Sequence, residues 1–212
     1  QADAILAVGT RLSQSTTFYD HRFVQPGVPI VQIEIDPQEI GRNYPVAVGI
    51  EGDARAVMTE LLTQVQQAEP RPNQEWVNEI NDWSARRRLR LEAEERLSSL
   101  PIKPQRVYAE LRKVIPRNAI VALDAGLAPN FGQDRLNFYE PHSLLTSLDL
   151  GGLGFSFPAS LGAKFAAPDR PVINFNGDGG FLFNAQEFST AVSYGLNVVT
   201  VIMNNDCWGS EK

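Results

Sequence analysis

Two short polar turns, Gly177-Asp178-Gly179-Gly180 and Asn204-Asn205-Asp206, hold the residue types in this chain best suited to chemistry. Asp178 offers a carboxylate and Asn205 an amide oxygen. Held together on a fixed backbone, the two suit a hard divalent cation such as Mg2+, which takes roughly six oxygens and commonly completes its shell with water and substrate phosphates. Gly177, Gly179 and Gly180 have no side chain to keep a phosphate away from the backbone. A helix starting at such a turn can aim N–H groups at the anion. The other reading of these residues is a pair of tight turns that bind nothing.

The flanking elements must bring the two turns together. Val172–Phe175 and Val198–Met203 are apolar, β-branched runs that read as strands buried on both faces. Ala185–Tyr194 between them reads as a helix, with Asn184 as N-cap, Glu187 near the capping-box position and Gly195 as the stop. A strand–helix–strand unit makes parallel neighbours. Ligands of open α/β sheets bind beyond the carboxyl ends of the strands, so Asp178 and Asn205 are expected at one edge.

The rest of the chain repeats this alternation. Ala4–Val8, Pro29–Ile35 and Val46–Ile50 read as strands, with a break at Asp36-Pro37, and Asp53 is placed to cap a helix over Ala54–Gln67. Residues 66–72 are polar and contain proline, which reads as a linker. Trp76–Leu97 is a long charged helix whose apolar stripe is too weak for tight packing on either neighbour. Its Arg86-Arg87-Arg88 run reads as a solvated face. Gln105–Val114 reads as an amphipathic helix, Ala119–Leu123 as a buried strand and Phe155–Ala166 as a helix. The turn Asp124-Ala125-Gly126-Leu127 leaves a small residue where a ligand could approach. The expected fold class is α/β, with two Rossmann-like, doubly wound parallel-sheet domains, both incomplete: residues 1–68, a helical linker over 69–103, and 104–212.

Composition narrows the function classes. The chain has 212 residues, 43% hydrophobic and 21% charged, as in ordinary globular proteins. A formal net charge of −6 without a Lys/Arg stripe argues against a nucleic-acid partner. No apolar run approaches the ~20 residues of a membrane span. The single cysteine cannot form an internal disulfide, and with no signal peptide a reducing cytoplasm is expected. His21 and His142 have no partner at metal-ligand spacing, and no Ser-His-Asp or Cys-His set can be assembled. There is no G-x-G-x-x-G, hence no expectation of a nicotinamide cofactor. The chain opens without Met directly before a strand and stops just after the second polar turn, so a piece of something longer is expected.

The GDG turn after a strand, followed by a helix, a strand and Asn-Asn, resembles the diphosphate-binding signature of thiamine diphosphate (ThDP) enzymes. The order ADAILAVGTRL, VQIEIDPQEIGRN and GDARAVMTEL resembles the central domain of their acetolactate synthase group. The resemblance implies ThDP and Mg2+ as cofactors, with Asp178, Asn205 and the backbone carbonyl of Cys207 as metal ligands. It implies diphosphate contacts from Gly177, Asp178, Gly179 and Gly180, and from the backbone at Gly126 and Leu127. Gln-His often follows that first glycine in acetolactate synthases; Leu127-Ala128 stands here instead. Within Leu150–Gly154, the resemblance makes Leu153 the aliphatic prop that bends the cofactor and the Gly151 carbonyl the acceptor for its 4′-amino group. These two are the candidate catalytic positions. Some members bind FAD in the central domain, and Thr10, Arg11 and Asp36 sit at strand ends where a nucleotide could lie.

The implied reaction is decarboxylation of a 2-keto acid such as pyruvate, with transfer of the two-carbon unit to a second carbonyl. The implied assembly is a homodimer or homotetramer, its site completed by a pyrimidine-binding domain of a neighbouring subunit. These 212 residues alone are expected to be inactive. Two alternatives keep the cofactor: a benzoylformate-type decarboxylase, and a sulfoacetaldehyde acetyltransferase, which Ala167–Pro171 and the tail Trp208–Lys212 resemble. A third is a non-catalytic nucleotide-binding α/β module.

Overall fold

The computed structural model of the chain describes residues 2–68, 73–147, 150–207 and 209. The linker residues 69–72, and Trp208 and 210–212 of the tail, lie outside them. The chain clusters into two compact units, Gln1–Asn78 and Glu79–Lys212. The first contains β1 (Ile5–Val8), α1 (Gln14–Thr17), β2 (Ile30–Glu34), β3 (Val48–Glu51), α2 (Ala54–Gln67) and the start of α3 (Gln74–Glu95). Its sheet is parallel in the order β1-β2-β3, with Ile5 opposite Ile30 and Val31 opposite Val48. Ala7, Val24, Ile30 and Tyr44 form its core. The Asp53 carboxylate accepts the Ala56 N–H at 2.9 Å and caps α2 as expected. Gln32 is buried, yet every arm of its amide is used. It donates to the Thr10 and Glu39 carbonyls and accepts from the Gly41 N–H. At the strand ends, the Asp36 carboxylate caps Gln38 N–H and Thr10 Oγ1 accepts from Leu12 N–H. These are local turn contacts.

The second unit holds the rest of α3, then α4 (Pro104–Leu111), β4 (Ile120–Leu123), α5 (Leu127–Arg135), β5 (Leu144–Thr146) and α6 (Ser156–Ala166). It continues through β6 (Val172–Gly177), α7 (Asp178–Phe183), α8 (Phe188–Ser193) and β7 (Val199–Met203). All four strands are parallel, in the order β5-β4-β6-β7. One face packs Ile173 and Phe175 of β6 and Val121 and Leu123 of β4 against Tyr108. The rings of Tyr108 and Phe175 lie 4.9 Å apart. The other face is partly polar. Asn174 and Asn176 are fully buried there among Ser156 and Ser160 of α6. Ser156 donates to Asn176 Oδ1, Asn176 donates to Asn174 Oδ1, and Asn174 donates to Ser160 and Thr200. A satisfied network of this kind fixes the register of α6 on β6, because slipping one residue would strand several buried polar groups.

Two expectations need correction. The crossover after β6 is not one helix over 185–194. It starts at Asp178, breaks at Asn184, makes a 3₁₀ turn over Ala185–Glu187 and resumes as α8. The Asn184 side chain makes no capping bond; its amide NH2 donates to the Gly154 carbonyl at 2.8 Å. Nor is β7 buried on both faces: Val199 is 59% and Ile202 44% exposed. As its weak apolar stripe implies, α3 buries no residue of its own; what ties it to the second unit is charge, chiefly at its last turns. Arg135 is 4% exposed; it pairs with Glu94 and Glu95 and donates to the Leu91 carbonyl. Arg112 grips Glu95 through both carboxylate oxygens at 3.1 and 3.0 Å, and Arg87 pairs with Asp134.

A buried guanidinium left short of a partner is costly, whereas an exposed pair contributes little. Glu95→Gln leaves Arg135 its bonds to Glu94 and the Leu91 carbonyl and weakens the grip of Arg112, so it is expected to lower unfolding stability by about 1.5 kcal/mol. Glu92→Gln, whose pair with Arg96 is exposed, should cost less than about 0.5 kcal/mol. Urea midpoints of the two variants check this; equal losses would contradict docking by the buried charges.

Candidate functional site

In the second sheet, the chain leaves β4 for β5 on one side and returns to β6 on the other. The carboxyl ends of β4 and β6 thus flank a topological switch point, where doubly wound sheets bind their ligands. A cavity of about 600 Å³ opens there, within the ~300–1,000 Å³ range of cofactor and small-molecule sites.

Each wall of the cavity is a strand end. From β6 come Gly177 and Asp178, followed by Gly179 and Gly180 in the first turn of α7. From β7 come Asn205 and Cys207. Gly177 lies opposite Met203 in the parallel register, so the two turns lie side by side. From β4 come Gly126 and Leu127; Gly126 has φ +115°, which only glycine adopts readily, and it opens α5. The loop before α6 adds Gly151 and Leu153. Each position assigned by resemblance to the metal, the diphosphate or the catalytic pair lines this one cavity, whereas Thr10, Arg11 and Asp36 belong to the first unit. A Cβ at Gly151 or Gly177 would meet nothing within 4 Å, so open space lies against the backbone where a diphosphate or a ring could approach.

The donor set suits a hard cation. No hydrogen bond ties down the Asp178 carboxylate among the described residues. Asn205 Oδ1 accepts the Cys207 N–H at 3.2 Å, an Asx-type turn that holds the amide oxygen and the Cys207 backbone close together. Two residue oxygens and a carbonyl leave room for phosphate and water oxygens in a six-fold shell. The described residues hold no cluster of three His, Cys, Asp or Glu side chains, so a cation here would rely on ligand oxygens and the backbone.

Sequence reasoning passed over one residue at the centre of the site. Asp124, at the end of β4, is 1% exposed and lines the cavity. Its carboxylate accepts the Gly154 N–H at 3.1 Å and the Phe155 N–H at 3.0 Å. Burial pushes its pKa above the ordinary value, while the backbone N–H groups around it pull the other way and only partly offset burial. The one available signal was a charged residue directly after a fully apolar strand.

Comparison with known proteins gives two family matches: Thiamine pyrophosphate enzyme, central domain, over residues 1–61, and Thiamine pyrophosphate enzyme, C-terminal TPP binding domain, over residues 124–212. The acetolactate synthase large subunit of Haemophilus influenzae is 35% identical over 215 residues, covering 100% of this chain and 37% of that protein. The acetolactate synthase isozyme 3 large subunit of Escherichia coli K12 is 36% identical, with the same coverage. A sulfoacetaldehyde acetyltransferase of Alcaligenes xylosoxydans xylosoxydans is 32% identical over 236 residues, covering 100% of this chain and 39% of that protein. The chain thus spans less than two fifths of the length of these relatives.

The direction of the Asp124 shift sets a pH dependence. A raised carboxyl contributes most to stability below its unfolded value of 3.8, and that contribution is lost as pH rises toward the raised folded value. The unfolding free energy of wild type minus that of Asp124→Asn should therefore fall as pH climbs above 3.8 and then level off. Urea titrations across that range check it; a difference that grows with pH would show the carboxylate to be stabilised as an anion.

Proposed function

Since the chain belongs to the thiamine pyrophosphate-dependent enzymes, carrying their central and C-terminal cofactor-binding domains, we propose that its strand-end cavity holds ThDP through Mg2+ and serves a 2-keto acid carboligase of the acetolactate synthase type. The observation that carries this reading is the convergence of Asp178, Asn205 and the glycine turns on one cavity at the switch point. Asp178 and Asn205, with the Cys207 carbonyl, would hold the metal. Gly177, Gly179, Gly180 and the backbone at Gly126 and Leu127 would meet the diphosphate. When bound, the cofactor supplies a carbon nucleophile and an electron sink for decarboxylation.

The chain's own residues bind and orient. Leu153 Cδ2 lies 3.7 Å from where a Cβ on Gly180 would sit. The leucine therefore leans over the first turn of α7; the residue is 37% exposed and lines the cavity. In this reading it is the prop against which the cofactor bends, and the Gly151 carbonyl is the acceptor for the amino group. Leu127, Leu153, Leu182 and Phe183 leave apolar side chains exposed on segments at or next to the cavity. That supports closure of the site by a second copy of the protein in a homodimer or larger homo-oligomer.

A second reading, a sulfoacetaldehyde acetyltransferase, is favoured by the relative of that name matched along the whole chain. One experiment separates the two. The full-length protein is given ThDP, Mg2+ and either pyruvate alone or sulfoacetaldehyde with phosphate, and the products are identified by proton NMR. Acetolactate is expected from pyruvate. Acetyl phosphate from the second mixture would transfer the assignment, and turnover of neither would overturn both substrate readings.

A further inference from the structure

Three separate segments meet at Gly154. Its N–H donates to Asp124 at the end of β4, and its carbonyl accepts from Asn184 Nδ2 at the end of α7. The next N–H, of Phe155, goes to the second Asp124 oxygen. The junction has no slack. Gly154 has φ +83°, and a Cβ there would lie 2.7 Å from Asn184 Nδ2 and 2.8 Å from Phe183 Cβ. Asp124 is equally confined: a Cβ on Gly180 would lie 2.3 Å from Oδ2, the oxygen that accepts the Gly154 N–H. Toward the cavity the picture reverses, because a Cβ at Gly151 or Gly152 would meet nothing within 4 Å. Side-chain packing does not hold the two glycines. The 151–153 stretch is held by Gly154 at one end and by Ser147 at the other, whose carbonyl accepts the Gly151 N–H at 2.6 Å and whose hydroxyl donates to the Gly152 carbonyl at 3.2 Å.

We infer that Asp124 and Asn184 are positioning residues: by gripping the two ends of the Gly154 unit, they fix the height of Leu153 and Gly151 in the cavity relative to the first turn of α7. The inference rests on the ThDP reading and goes beyond it, because neither residue belongs to the set that would hold the metal or the diphosphate. Their effect falls on the orientation of a bound ring system, not on its anchorage. The Gly154–Asp124 bond is buried and the other two are partly so; losing an Asp124 bond leaves an N–H, and losing the Asn184 bond a carbonyl, without its partner. Asp124→Asn keeps the shape but turns an amide NH2 toward one of the two N–H donors. Asn184→Ala removes the grip from the opposite side at a less buried position.

Both variants are made in the full-length protein and compared with wild type in three measurements. Calorimetry gives the Kd for ThDP with Mg2+. Hydrogen exchange of the Gly154 and Phe155 amides is followed without cofactor. Exchange of the C2 proton of bound ThDP is followed at saturating cofactor. The expected result is a Kd within about threefold of wild type, amide exchange at least about tenfold faster, and C2 exchange slowed about 10- to 100-fold, the scale of an ångström-sized misplacement. Asn184→Ala alone decides if Asp124→Asn does not fold. Unchanged amide or C2 exchange overturns the inference. So does a loss of ThDP affinity that accounts for the whole effect, which would make the two residues part of the anchorage. A wild-type protein that binds no ThDP overturns the site reading, and this role with it.

Discussion

Parallel pairing of β6 with β4 on one side and β7 on the other is the constraint on which the site depends. Parallel strands place all their carboxyl ends at one edge, so the turns after residues 123, 177 and 203 must converge. The reversal of strand order between β4 and β6 then opens the edge into a cavity, because the chain departs in opposite directions from the two strands. Nothing local to Asp178 or Asn205 brings them together. The register does, with Ile173 opposite Val199 at the far end and Gly177 opposite Met203 at the near end. The buried amide and hydroxyl network on Asn174, Asn176, Ser156 and Ser160 sets α6 on the same strand. That fixes where the loop before α6 enters the cavity.

The second requirement is glycine. Gly126 and Gly154 take backbone angles that other residues reach only with strain. Gly180 leaves no room for a side chain beside Asp124. Such positions trade local flexibility for close approach, and the surrounding contacts hold them in place. Beyond the site, α3 shows how a helix without an apolar stripe can still be fixed: Arg135 and Arg112 draw its last turns in through Glu94 and Glu95.

The fold class and the parts of the site with strong local signals were legible in the sequence. The apolar runs ahead of Asp178 and Asn205 identified both strands, and glycine between a strand and a helix identified the turns. Leu144–Thr146 was not legible, because three residues show no period. Without it the strand order, and so the switch point, could not be drawn. α7 was missed because Asp-Gly-Gly is a poor helix former. Packing of Phe181 against Phe157 and Phe188 compensates, with ring centroids 5.5 and 5.7 Å apart. Beyond the placement of Asp124 after an apolar strand, Asp124 and Asn184 carry no local sign of what they bind. Their partners are 30 residues away in each direction, and such contacts are properties of the fold alone. Of the expected cofactors, the comparisons name thiamine pyrophosphate and give no support for FAD; Thr10 and Asp36 are engaged in local turn contacts.

The most direct measurement is a calorimetric titration of the full-length protein with ThDP, with and without Mg2+, beside Asp178→Ala. The cavity reading requires saturable binding that depends on Mg2+ and is lost in Asp178→Ala, because removing the charged ligand leaves the metal an amide and a carbonyl. Binding of equal strength without Mg2+, or undiminished in Asp178→Ala, would place the cofactor elsewhere and contradict the assignment of this strand edge.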